Sequence, residues 1–399
     1  MIPFSNRLPE GDRRIYQIDV LAGAYFGLHL GFLVPFIPVL LKRIGASPFQ
    51  VGLSIAAPFL GLVLVFPLLK FLPPSTKALD LITIPCFFSR LSIGFLGFVT
   101  GPWPILSIYL IDQFIEAIGF SAYSKLLKYM YSEDSRPLAM GYVRAFVVLF
   151  QIFGSVLGGF VLDAGGADLI FLLSGICGAV SALSFRRIFT EKNSPLFSTR
   201  KMGFKDIVRT NRQSRLFFWF NVTVMAYGFG NLLIIGVLPT MLIERFNISN
   251  AALGSLTGVT NIVLILSYLL IGEFIRRFGA QTGFFLAMTA GLFNAWLFLF
   301  ASKVSFLIFP FALNGIMFAG FDVCWSILIL KYAPEEEISI YASVYTLLMG
   351  IRGIVATMVS NLALPLIGTN FFLFAGGVFT FLGLLIGFSR RSRWIPPHD

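Results

Sequence analysis

Cysteine, histidine and charge are all scarce in this chain of 399 residues. The three cysteines, Cys86, Cys177 and Cys324, each stand alone inside an apolar run, which argues against a disulfide framework and against a thiolate metal cluster. Of the two histidines, His29 lies inside an apolar run and His398 is the penultimate residue, which argues against a zinc centre or a histidine-based catalytic site. No Gly-x-x-x-x-Gly-Lys loop is present, so ATP hydrolysis is not expected either. Without constellations of His, Cys or Ser, the chain reads as a non-enzyme that needs no cofactor and no metal. Only 12% of residues are charged, against about 25% in a soluble domain.

What is there is hydrophobic residues, 57% of the chain, including 46 phenylalanines. A bilayer can hide that much apolar surface. The net charge of +11 does not indicate nucleic acid, because the charges fall in the gaps between apolar runs, where a membrane protein needs them. The polar start ends at Asp12-Arg13-Arg14. It leads into an apolar run of about 26 residues, longer than a cleavable signal core of roughly 7–15, so this run is read as the first membrane helix.

A membrane-crossing helix needs roughly 20 apolar residues. Twelve runs qualify: 16–41, 50–69, 78–99, 104–126, 141–162, 168–185, 216–242, 251–271, 280–301, 305–329, 339–364 and 370–388. They fall six and six around a basic linker, 186–215, giving an expected N-terminal bundle over 1–185 and a C-terminal bundle over 216–399. The halves also repeat. Leu127-Lys128-Tyr129 returns as Leu330-Lys331-Tyr332, and Glu133-Asp134 returns as Glu336-Glu337. Pro38, Leu41, Arg43, Ser47 and Gly52 return in order as Pro239, Leu242, Arg245, Ser249 and Gly254. An even number of spans per half makes the repeat parallel. With the N-terminus in the cytoplasm, 24 of the 30 Lys and Arg lie on the inner side, as the positive-inside rule requires. The fold class expected is therefore all-α integral membrane, two six-helix bundles related by a pseudo-two-fold axis, with both termini cytoplasmic. Short loops and termini point to a bacterial inner membrane.

Two segments sharpen this. Gly272-Glu273-Phe274-Ile275-Arg276-Arg277-Phe278-Gly279 resembles the loop motif of the major facilitator superfamily, which reads Gly, three residues, Asp, Arg, any residue, Gly, then basic residues. Gly272, Arg277 and Gly279 match, Arg276 stands in the Asp position, and the equivalent first-half loop from Lys70 to Lys77 has no such motif. Gly154-Ser155-Val156-Leu157-Gly158-Gly159 resembles the family's antiporter motif, with Ser155 for Pro. Glycines spaced by four are equally what close helix packing uses. The resemblance implies a monomeric secondary transporter, symporter or antiporter, working by alternating access. It also implies a central cavity lined by spans 1, 4, 7 and 10, with Gly272, Arg276, Arg277, Gly279, Gly154, Gly158 and Gly159 as gating elements.

An ionisable residue at mid-membrane costs about 2.5–3.5 kcal/mol on insertion scales, so each needs a partner or a role. Asp112 and Glu116, four apart, share one face of span 4. Two close carboxylates in a low-dielectric medium favour holding a proton, which is what a proton carrier needs. Their depth also allows an ion pair with Arg90. Asp19 and Asp322 are further coupling candidates, and Asp19, near an inner span end, could equally be solvated or bridged. Arg90 and Arg352 favour an anionic group in the substrate, and Arg352, between Gly350 and Gly353, could equally latch the two halves. His29 and Tyr25 of span 1, Tyr227 and Asn231 of span 7, and Asn314 and Trp325 of span 10 offer polar and aromatic contacts for an amphipathic organic solute. Packing and interhelical hydrogen bonding are the plainer roles open to them. The function expected is transport of a small organic solute, anionic or amphipathic and coupled to protons. A lipid flippase on the same fold and a non-transporting scaffold or receptor are the alternatives.

Overall fold

The computed structural model describes residues 9–68, 71–73, 75–133, 135–188, 194–197 and 204–389. Lys70, Asp134, Lys192, Arg200, Lys201 and His398 lie outside these residues. In hydrocarbon every backbone N–H and C=O must find its partner within the chain, and the described residues do this with helices. The first half comprises α1 (Glu10–Leu33), α2 (Ile37–Arg43), α3 (Pro48–Leu68), α4 (Ala78–Ile93), α5 (Pro102–Met130), α6 (Arg136–Asp163) and α7 (Ala167–Ser184). The linker holds α8 (Phe204–Gln213). The second half comprises α9 (Arg215–Glu244), α10 (Asn250–Phe300), α11 (Ile308–Tyr332), α12 (Ile338–Ile367) and α13 (Thr369–Ser389). Strand-type pairing among the described residues is one isolated bridge, Lys77 with Leu196.

The helices follow the apolar runs with two departures. The first run is divided between α1 and α2 at residues 34–36, where Pro35 lacks an N–H and its ring crowds the carbonyl four residues back. The third run is helical only through Ile93 and continues as turns. The runs 251–271 and 280–301 lie, as expected, on two helices, labelled together as α10, that meet at a break at Gly279, which has φ 81° and ψ 155°. Only glycine takes that conformation without strain. Pro85 interrupts α4 more gently. It cannot donate to the Leu81 carbonyl, and the Cys86 thiol donates there instead, at 3.7 Å.

The sequence repeat has a physical basis. Ser47 and Ser249 occupy equivalent helix starts. The Ser47 Oγ accepts from the Gln50 N–H at 3.3 Å while the Gln50 side chain accepts from the Ser47 N–H at 2.8 Å, a reciprocal capping box. The Ser249 Oγ accepts from the Ala252 N–H at 3.1 Å. Asp163, at the end of α6, adds two bonds to the start of α10, accepting from the Asn250 and Ala251 N–H groups at 2.8 Å each. A carboxylate there also meets the positive end of the helix dipole. Asp163→Asn should lower stability by about 0.5–1 kcal/mol, read as a melting shift that shrinks as salt is added.

By contacts the chain forms two compact units. Unit 1 holds residues 1–45, 64–200 and 249–261, and unit 2 holds 46–63, 201–248 and 262–399. Each unit thus contains a segment from the other sequence half. In unit 1, α1 packs mainly against α6 and α7; in unit 2, α9 packs mainly against α12 and α13. The core of unit 1 gathers Tyr16, Val20, Ile82, Leu126 and Val143. That of unit 2 is more aromatic, with Phe220 against Phe284, Tyr332 and Tyr345. The α1–α6 contact is close enough that a Cβ on Gly27 would sit 2.2 Å from the Val147 carbonyl oxygen.

Candidate functional site

Four helices of unit 1 bring mid-span polar residues together. Arg90 of α4 forms a two-pronged ion pair with Glu116 of α5, Nε to Oε1 at 2.5 Å and Nη2 to Oε2 at 3.0 Å. The Arg90 side chain is 6% exposed and that of Glu116 is 16% exposed, so the pair is largely withdrawn from solvent. Its remaining donors are used: Nη1 reaches the Gly178 carbonyl at 3.3 Å and the Ser181 Oγ at 3.2 Å, both on α7. From α1, the ring of Phe26 lies 4.4 Å from the guanidinium carbon. A guanidinium with a bidentate carboxylate, two further acceptors and an aromatic face is as well compensated as a buried cation can be.

Asp112, one turn before Glu116 on α5, is fully buried. Its Oδ2 accepts weakly from Gln113 at 3.3 Å, while its Oδ1 has no partner in the structure. His29 of α1 is equally buried, and its Nδ1 lies 3.0 Å from the Ser174 carbonyl. The Ser174 Oγ donates back to the His29 carbonyl at 3.1 Å. The His29 Nε2, like the Asp112 Oδ1, has no partner. One ligand atom each from His29, Asp112 and Glu116 lies within 4.8 Å of the others. Gly178 makes the space: a Cβ there would lie 2.7 Å from the Arg90 Cβ and 2.9 Å from the His29 Nδ1.

Sequence reasoning missed the contribution of α7. Ser174, Gly178 and Ser181 are spaced four and three apart, one face of a helix, and that spacing was the available signal. The other candidates are scattered. Asp19 is buried rather than solvated, held by the hydroxyls of Tyr131 at 2.8 Å and Tyr123 at 3.1 Å. Tyr25 is half-buried on α1. In unit 2, Asp322 accepts from Tyr268 at 2.5 Å, Asn314 accepts from Asn294 at 2.5 Å, and Trp325 stacks on Tyr345 with centroids 5.1 Å apart. Asn231 is half-buried on α9. Arg352 is buried, donates from Nη1 to the Val224 carbonyl at 2.5 Å, and leaves its Nε without a partner. Its guanidinium lies over Gly228, where a Cβ would come within 2.2 Å. Tyr227, the neighbour of Gly228, is buried with its hydroxyl unpartnered.

The motif glycines are close-contact positions. Gly154 faces the backbone of Leu28 and Gly31, Gly158 faces Phe32 and Phe36, and Gly159 faces the backbone of Asn250 and Ala251. Close helix packing uses these positions. In the loop from Gly272 to Gly279, the acid missing from the motif position is supplied by Glu273. It accepts from Arg276 at 2.6 and 2.7 Å and from Arg277 at 2.5 Å.

A family model described as Major Facilitator Superfamily matches residues 20–229 and 220–399. No curated protein matches the chain. Among solved structures, the chain is similar to a POT family transporter in complex with a thioalcohol-conjugated peptide, with TM-score 0.74, 13% identity and 97% of both chains covered. It is similar to the nucleoside transporter NupG, with TM-score 0.65, 15% identity, 97% of this chain and 100% of that one covered. A third is a bacterial homologue of the human lysosomal transporter Spinster, with TM-score 0.63, 14% identity and 97% and 99% covered. At these identities the likeness speaks for the fold. The family match spans both halves of the repeat, and with it the chain belongs to the Major Facilitator Superfamily: an integral membrane transporter, not an enzyme.

Proposed function

We propose that this transporter moves a small organic anion by alternating access and couples that movement to a proton held at Asp112. The observation that carries the reading is the unpartnered, fully buried Asp112 Oδ1 beside the compensated Arg90–Glu116 pair. A buried carboxylate with one oxygen left without a donor is expensive, and protonation lowers the cost. Asp19 and Asp322 already have hydroxyl donors and so rank behind Asp112 as coupling groups.

Arg352 supports the anionic substrate. A buried guanidinium with an unsatisfied Nε suits a carboxylate or phosphate group. The names of the similar structures, a nucleoside transporter and a peptide-bound transporter, fit a polar organic solute. In this reading the functional halves are 1–185 and 216–399, joined by 186–215. The loop from Gly272 to Gly279 acts as a gate latch, the protein works as a monomer, and both termini face the cytoplasm of a bacterial cell.

Purified protein in liposomes should show counterflow with one member of an organic-anion panel. An imposed pH gradient should raise accumulation by up to about tenfold per pH unit for one coupled proton. Asp112→Asn should lose the gradient response and keep counterflow. Equal accumulation with and without the gradient in the unmodified protein would discard proton coupling.

A further inference from the structure

From the acceptor imbalance at the four-helix cluster, we infer that the coupling proton is held between two atoms, the Asp112 Oδ1 and the His29 Nε2. The inference rests on the proton-coupled reading above and names a residue that reading does not use. A carbonyl can only accept, so the 3.0 Å contact to the Ser174 carbonyl places a proton on the His29 Nδ1. In a neutral ring, Nε2 is then an acceptor. The Ser174 Oγ also lies 3.0 Å from Nδ1; with its single hydrogen given to the His29 carbonyl at 3.1 Å, it accepts from the same Nδ1–H. The Asp112 Oδ1 is an acceptor too, and neither atom has a partner. Ligand atoms of the two residues share one cluster within 4.8 Å, so two buried acceptors without a partner there leave room for one proton.

Charge selects the proton over other cations. Arg90 and Glu116 cancel, Asp112 leaves one negative charge, and a neutral His29 adds none. One monovalent cation makes the cluster neutral, and a divalent metal would leave it positive beside a guanidinium. A hard metal ion favours an all-oxygen shell, and an imidazole nitrogen is a better fit for a proton. The titratable groups facing the pair are Arg90 and Cys86 from α4, and Tyr109 and Glu116 from α5. From α7 the neighbours are Ser174, Gly178 and Ser181. In the loaded form, Asp112 is a neutral acid donating to His29. Release returns the proton to water and leaves a carboxylate facing a neutral imidazole.

The test is an infrared pH titration of full-length protein in liposomes, run beside gradient-driven uptake. The unmodified protein should show one protonated-carboxyl band that is lost in Asp112→Asn. His29→Asn keeps a donor near the Nδ1 position and deletes Nε2; His29→Gln puts a permanent donor toward Asp112. Both should shift the band and move the pH midpoint of uptake by one unit or more, about tenfold in proton affinity. A melting curve checks that each variant is folded, and either variant alone suffices. An unchanged band and midpoint in a folded His29 variant overturns the inference, and the proton-coupled reading stands if Asp112→Asn still loses the gradient response. Uptake by Asp112→Asn that still follows the gradient overturns both. A band in the unmodified protein that answers to sodium or cobalt(II) at constant pH overturns the inference in favour of a metal cation.

Discussion

Arg90→Met should leave little folded protein, with a loss of about 3–5 kcal/mol. The substitution keeps much of the side chain's volume and removes its charge. Glu116 would remain in the interior with neither of its two Arg90 bonds, and the Gly178 carbonyl and the Ser181 hydroxyl would each lose a donor. An uncompensated interior charge is what makes breaking one side of a buried pair so costly. Glu116→Gln should be as damaging from the other side, because it strands the guanidinium. The diagnostic is the double variant, Arg90→Met with Glu116→Met. Replacing both members of a buried pair by apolar groups is often neutral, so much of the lost melting temperature should return. A double variant no better than the singles would show that the network on α7 and Phe26, rather than the charge balance, sets the cost.

The second large effect is steric. Gly27→Val places a Cβ 2.2 Å from the Val147 carbonyl oxygen and 3.1 Å from the Gln151 backbone nitrogen. No rotamer relieves a clash with backbone, so α1 and α6 must separate. The expected penalty is about 3 kcal/mol or more, the upper end of overpacking in a tight core. The measurement is the yield of monodisperse protein together with its melting point. Gly11, on the same helix, has open space where a Cβ would sit, with no neighbouring atom within 4 Å. Gly11→Ala should therefore be neutral or stabilising by about 0.5–1 kcal/mol. Equal tolerance at both positions would contradict the packing of α1 on α6.

How much of this was readable in the sequence follows from what each signal depends on. Span positions depend on composition alone, and they were legible to within a few residues. Ser47 and Ser249 could be recognised as equivalent because capping is local chemistry, satisfied within three residues. The Arg90–Glu116 pair was reachable because depth in a bilayer is a one-dimensional coordinate that counting along a helix supplies. Rotation about the helix axis is harder to obtain. It decides that Arg90 meets α7, and that Asp19 meets Tyr123 and Tyr131 from a distant stretch of chain. The Asn294 partner of Asn314 could not be read, because an asparagine within a span reads the same whether it faces a solute or another helix. The break at Gly279 was legible, because a polar stretch between two apolar runs signals the end of a span, and Glu273 and its two arginines form one exposed surface there.

The exchange of short segments between the two units has a consequence for biosynthesis. A ribosome releases the chain from its N-terminus, so α1, α6 and α7 reach the membrane well before residue 249. Unit 1 nevertheless includes residues 249–261, and unit 2 includes residues 46–63 from early in the chain. The contacts that define unit 1 are therefore complete only once the start of α10 has been made.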